Sequence, residues 1–142
     1  MTSQNPGIFR DFAECRNIAF HEIDLHAGES IPELNDFDGL WVMGGSMNVW
    51  EENKYPWLIE EKKAIRHAVE DLKMPFLGIC LGHQLLAEAL GGEAKKTDNH
   101  EIGLFEIKPT TEGKSHPLLK NFNYLDKWVN VHLVEVSKTP KG

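Results

Sequence analysis

Residues 78–84 read GICLGHQ. Ahead of them Pro75, Phe76 and Leu77 make an apolar run too short for a helix and opened by a proline, the pattern of a buried strand in a parallel sheet. Behind them Leu85, Leu86, Ala87, Glu88, Ala89 and Leu90 are strong helix formers, and Gly91 and Gly92 stand where a helix would be capped. Cys80 therefore falls on a sharp strand-to-helix turn. Gly78 and Gly82 flank it at two residues on either side, the spacing of a nucleophile elbow, where missing side chains let the backbone turn tightly. Such a turn sets the sulfur at the carboxyl edge of the sheet, over the unpaired N–H groups of a helix N-terminus, which favour a negatively charged nucleophile. Burial as a small apolar residue is the commonest fate of a lone cysteine. The paired glycines, with His83 and Gln84 in the first helical turn, tip this one toward chemistry.

Working upstream, residues 40–43 (LWVM) form a second all-apolar run, which stops at Gly44 and Gly45 before Ser46 and Met47. In an open parallel sheet, neighbouring strands deliver their carboxyl-end loops to one crevice. Glycines end strands routinely, but a pair at this place also leaves backbone N–H groups able to approach a substrate oxygen, as a tetrahedral intermediate requires. Residues 55–73 have helical periodicity. Pro56 suits the start, Leu58, Ile65, Ala68, Val69 and Leu72 share a stripe, and Glu60, Glu61, Lys62, Lys63 and Arg66 make the polar face. Residues 6–15 read as a helix with Pro6 near its first position, and residues 18–25 as a strand closed by His26, Ala27 and Gly28. Beyond Gly92, residues 102–108 alternate as a strand, residues 110–115 are polar turn material, and residues 127–136 are a β-branched strand followed by a polar tail. Strands and helices alternate, so the expected class is α/β with a mainly parallel sheet.

At 142 residues the chain is expected to be a single domain with a real core. A net charge of −7 argues against nucleic acid or an anionic membrane as partner, because both need a basic face. The two cysteines, Cys15 and Cys80, have neither metal-ligand spacing nor a disulfide framework, which points to a reducing cytoplasm and to no metal site. No signal peptide and no membrane-length apolar run is found. No cofactor is expected. Trp41, Trp50, Trp57 and Trp128 share no spacing and read as core or pocket-rim residues.

GICLGHQLLAEALGGE resembles the nucleophile region of class I glutamine amidotransferases, WVMGGSMNV resembles their oxyanion loop, and HEIGLFEI resembles the segment that closes over bound glutamine. The similarity is greatest to stand-alone members described as GMP synthase-like, and the three blocks span residues 40–107, about half the chain. The resemblance implies a flavodoxin-like, mainly parallel sheet with helices on both faces. It also implies hydrolysis of glutamine, or a γ-glutamyl compound, to release ammonia through a thioester on Cys80. On the matching positions the N–H groups of Gly45 and Leu81 hold the oxyanion, while Gly44 and Gln84 help seat the substrate. His83 is expected to be a partly buried packing residue, because a side chain in the first turn points along the helix rather than back at the sulfur.

The departures from that family are as informative. Its base and orienting carboxylate come from a late H-x-E motif, and no such tripeptide follows Cys80. His132 is the remaining candidate base beside His100 and His116, but Glu135 three positions along a strand faces the other side. VHLVEVSKTPKG resembles the block that precedes the family's catalytic histidine, and Met1 to Asn5 is too polar to supply the family's first strand. The chain thus reads as a partial amidotransferase domain, short of its first strand and its His/Glu region, that does not complete turnover alone. The alternatives are a catalytically dead binding protein or fragment, and a cysteine hydrolase of the same superfamily, which typically has histidine where Leu81 stands. Self-association or a partner protein is expected to cover the gap.

Overall fold

The computed structural model describes residues 6–119 and 127–140; the expectation for Met1 to Asn5 lies outside them. The described chain divides into two compact units, residues 1–95 with 136–142, and residues 96–135.

The first unit opens with helix α1 (Ile8–Cys15), followed by strand β1 (Leu40–Val42), helix α2 (Trp57–Arg66), strand β2 (Phe76–Gly78) and helix α3 (Leu81–Ala89). Strands β1 and β2 pair in parallel, with Leu40 opposite Phe76, Trp41 opposite Leu77 and Val42 opposite Gly78. A parallel pair needs a long crossover, and α2 supplies it. The ridge of Leu58 and Ile65 on α2 meets Leu81, Leu85 and Ala89 on α3 and Val42 on β1, forming the main core with Val49. Leu34, Ala68 and Met74 form a smaller cluster around the end of α2. There the helix widens into a π turn over His67–Asp71 and stops at Lys73, whose φ of 53° no helix can continue. Only part of β2 is covered: Leu77 remains 37% exposed, so the strand is not buried on both faces as its apolar run suggested.

The expected strand at 18–25 does not form. A strand exists only with a ladder partner, and this stretch has none among the described residues. Instead it runs without regular secondary structure, with Glu22 paired to Arg10, and then turns through Leu25–Ala27. The Asp24 carboxylate caps that turn by accepting the Ala27 N–H at 3.1 Å. Glu29 closes it from the far side, accepting the Asp24 N–H at 2.8 Å.

The second sheet pairs strand β3 (Glu93–Glu106) with strand β4 (Lys127–Lys138). β3 begins nine residues before the alternation that announced it at Ile102. Charged and polar side chains over Lys95–Glu101 hid the strand, because a ribbon exposed on its faces needs no apolar period. The stretch read as a polar turn carries a short helix, α4 (Thr111–Ser115), where the Thr110 hydroxyl accepts the Gly113 N–H at 3.0 Å. Trp50 and Trp128 are exposed rather than core, while Trp41 and Trp57 are half-buried. The Trp41 ring meets the Phe9 ring edge-on and lies tilted against that of Phe20.

Candidate functional site

Cys80 occupies the turn between β2 and α3 with φ 55° and ψ −107°. A side-chain-bearing residue is strained in that left-handed region, and such strain persists only where the surroundings over-determine it. Three contacts supply the constraint. A Cβ on Gly78 would stand 2.7 Å from the backbone of Gly82 and His83. A Cβ on Gly82 would fall on the Val42 carbonyl, 2.8 Å from its carbon. The Ile79 N–H donates to that same carbonyl at 2.9 Å. The two glycines let strand, turn and helix come together more closely than any side chain permits, and Cys80 takes the strained angle that results.

Gly45 comes down on the same helix start. A Cβ there would lie 2.7 Å from Leu81 Cδ2 and 2.7 Å from Met47 Sδ. Gly45 thus lies against the side chain of Leu81, the other residue expected to offer an oxyanion donor, with Gly44 next to it in the chain and Leu81 buried. Gln84 is buried too, at 7% exposure, on the inner face of α3. His83 is exposed, correcting its reading as a partly buried packing residue. His132 lies on β4 in the second unit, with Nδ1 3.6 Å from the Glu101 carboxylate on β3. The carboxylate beside it is therefore a cross-strand neighbour, which no spacing along one strand could disclose; that spacing offers Glu135 alone.

The helix behind the elbow is held at both ends. At its C-terminus the Gly91 N–H donates to Glu88 at 3.2 Å and the Gly92 N–H to Ala87 at 2.8 Å, with Gly91 at φ +83°. That is the reciprocal glycine cap anticipated from the GG pair. Arg66 on α2 donates to the Ala89 carbonyl at 2.7 Å, tying the two helices together.

One residue behaves unlike its sequence reading. Glu61, placed on the polar face of α2, is half-buried in the wall of a cavity also lined by Gly44, Gly45, Tyr55, Trp57 and Leu81. Cys80 does not line it. Burial pushes the Glu61 carboxyl up from 4.5 to about 7. The folded state therefore holds a proton that the unfolded chain has already lost, and stability falls as pH rises through that interval. Below 4.5 both states are protonated and above 7 both are ionised, so the loss is then complete. Allowing for residual solvent contact, Glu61→Gln should raise stability above that interval by about 2 kcal/mol and change little below it. Urea titrations at the two pH extremes check this; a gain of equal size at both would mean packing rather than charge.

Among the described residues no helix is long and apolar enough to cross a membrane. The family model for glutamine amidotransferase class-I matches residues 3–142. The chain is 35% identical to the glutamine amidotransferase-like protein YfeJ of Salmonella typhimurium over 84% of its own length and 51% of that protein's. It is 30% identical to a subunit of the glutamine-hydrolyzing GMP synthase of Sulfolobus acidocaldarius, over 91% of this chain and 64% of that one. Among solved structures, a glutamine amidotransferase from Methylobacillus flagellatus superposes with a TM-score of 0.87 at 32% identity, covering 99% of this chain and 55% of its own. A glutamine amidotransferase from Thermotoga maritima gives 0.79 at 29% identity, over 94% and 57%. The chain spans about half to two thirds of the length of these relatives. With that breadth of match, and with the α/β elbow that its sequence motif demanded, the chain belongs to the glutamine amidotransferase class-I family.

Proposed function

We propose that residues 1–142 are read as one amidotransferase domain that binds glutamine, or a γ-glutamyl compound, and presents Cys80 to its side-chain carbonyl. The observation that carries this reading is Cys80 held at φ 55° between two glycines, with Gly45 packed on Leu81 at the same helix start. In this reading the Cys80 sulfur adds to the γ-carbonyl carbon, and the N–H groups of Gly45 and Leu81 receive the oxygen as it becomes negative. Collapse of that adduct expels ammonia, once the leaving nitrogen has gained a proton, and leaves a γ-glutamyl thioester. Gly44 and Gln84 belong to the substrate's seat. Release of glutamate needs a base to activate water, and His132, with Nδ1 3.6 Å from the Glu101 carboxylate, is the candidate for it. Two free thiols suit a reducing cytoplasm.

A binding-only reading has its own observation: His83 and His100 are exposed, and Nδ1 of His116 accepts the Leu118 N–H at 3.3 Å. One experiment serves both readings. A glutamine-mimicking diazoketone, which alkylates a positioned thiol, should modify Cys80 and spare the exposed Cys15, with glutamine protecting. Gly45→Val should slow that alkylation by roughly 10²-fold, because it covers an oxyanion donor while only the flexible ends of Leu81 and Met47 must give way. Equal modification of Cys15, or indifference to glutamine, would remove the site as drawn.

A further inference from the structure

Lys62 belongs by sequence to the polar face of α2, yet its side chain is only 16% exposed. It stands one helical turn before Arg66, so the two share a side of the helix, and there each meets α3. Arg66 donates to the Ala89 carbonyl at 2.7 Å, and the Lys62 ammonium lies 3.8 Å from the Glu88 carboxylate. Glu88 in turn accepts the Ala94 N–H at 3.0 Å. Lys62 also reaches beyond the two helices, donating to the Glu52 carboxylate at 2.9 Å. Glu52 lies in the loop that leaves β1 and carries Gly45. Its own turns tie residues 48–55 into one piece. The N–H and Nδ2 of Asn48 donate to one Glu51 carboxylate oxygen, at 2.6 and 3.0 Å. The Glu51 carbonyl accepts the N–H groups of Lys54 and Tyr55, at 3.0 and 2.9 Å. Fully buried Val49 seats that piece in the main core, and Glu52 fastens it to α2.

The two expected oxyanion donors come from separate elements, Gly45 from this loop and Leu81 from the start of α3. Such donors work only when both stand about 2.7–3.1 Å from one oxygen, a spacing that packing of loop against helix must set. One ammonium shared by a loop carboxylate and an α3 carboxylate ties both donor-bearing elements to the helix between them. Glu52 and Glu88 both lie close to that nitrogen, so without its charge they would repel each other and drive the loop off the helix. We propose that Lys62 is a positioning residue for the oxyanion site: its ammonium, held between Glu52 and Glu88, keeps the Gly45 loop in register with the start of α3. This role rests on the proposed placement of the oxyanion donors at Gly45 and Leu81.

The same diazoketone tests it on the intact chain, with iodoacetamide, which needs no seat beside the thiolate, as the reference electrophile. Lys62→Met should slow diazoketone alkylation of Cys80 by about tenfold and iodoacetamide labelling by less than about twofold. Adding Glu52→Gln to Lys62→Met removes the repulsion and should restore about threefold of that loss. Lys62→Arg keeps the charge and should stay within about twofold of the parent. Arg66→Met is the control for stability. It takes the donor from the Ala89 carbonyl and lowers the urea midpoint, but it spares the loop tether and should leave the diazoketone rate within about twofold. Amide exchange over residues 43–52 reports on the tether with no ligand present, and should quicken about threefold or more in Lys62→Met but not in Arg66→Met. The proposal is overturned if the two electrophiles slow together, if Arg66→Met slows alkylation as much as Lys62→Met, or if exchange in Lys62→Met is unchanged. A parent chain whose labelling ignores glutamine would remove the oxyanion site and this role with it, even where exchange shows the loop tethered.

Discussion

Purified chain supplied with glutamine is expected to release no more ammonia than its Cys80→Ala variant. Acylation and deacylation each need a positioned proton carrier, and such a group is typically worth 10²–10⁴-fold, or about 3–5 kcal/mol, at each step. Four histidines follow Cys80, and none stands in an H-x-E tripeptide. His83 is exposed on the first turn of α3, and His100 is exposed on β3. His116 is committed to its own turn, where Nδ1 accepts the Leu118 N–H at 3.3 Å. His132 has a carboxylate neighbour in Glu101, at 3.6 Å, which makes it the residue to mutate first if turnover is found. A coupled ammonia assay on both proteins decides the matter: Cys80-dependent release would sink this expectation and move the base to that pair.

The second large effect is on folding. Gly82→Val should cost about 3 kcal/mol or more, because the new side chain starts on the Val42 carbonyl and 2.9 Å from Val42 Cγ1. Both are parts of the main core rather than flexible side-chain ends, so α3 can only lift away from β1, undoing the contacts of Leu81 and Leu85. A domain with roughly 5–15 kcal/mol of stability loses a large share of it. Gly91→Ala provides the scale. It sits at φ +83° with nothing within 4 Å, so only the backbone penalty of roughly 1 kcal/mol applies. Urea midpoints that move equally in the two variants would show that the helix does not approach β1 as closely as described.

What the sequence disclosed, and what it withheld, divides by the range of the interactions involved. The elbow was legible because glycine spacing, apolar run and helix formers all lie close together in the chain and each expresses a local constraint. The contact of Gly45 with Leu81 was inferable because parallel strands end at one edge, although the intervening helix separates them in sequence. Residues 18–25 failed because their apolar content is a strand's, while their conformation depends on a ladder partner that no local pattern reports. Glu61 failed for a similar reason: its place in the helical period is polar, but the cavity beside α2 is a property of the packing. The neighbour of His132 escaped because two strands supply it, one residue each.

At the base of the β3–β4 ribbon, Lys138 Nζ reaches the Glu93 carboxylate at 2.9 Å, and the Ser137 hydroxyl donates to the Glu93 carbonyl at 3.3 Å. Forty-five positions of chain separate the residues of that clasp. Entry to and exit from residues 96–135 therefore share one doorway. The entropy of closing a chain segment at such a clasp grows only with the logarithm of its length. Doubling it would cost about 0.6 kcal/mol. A lineage built on this frame can lengthen, shorten or replace what passes through the doorway for the cost of a weak hydrogen bond, while the elbow, whose tolerances are fractions of an ångström, admits almost no revision.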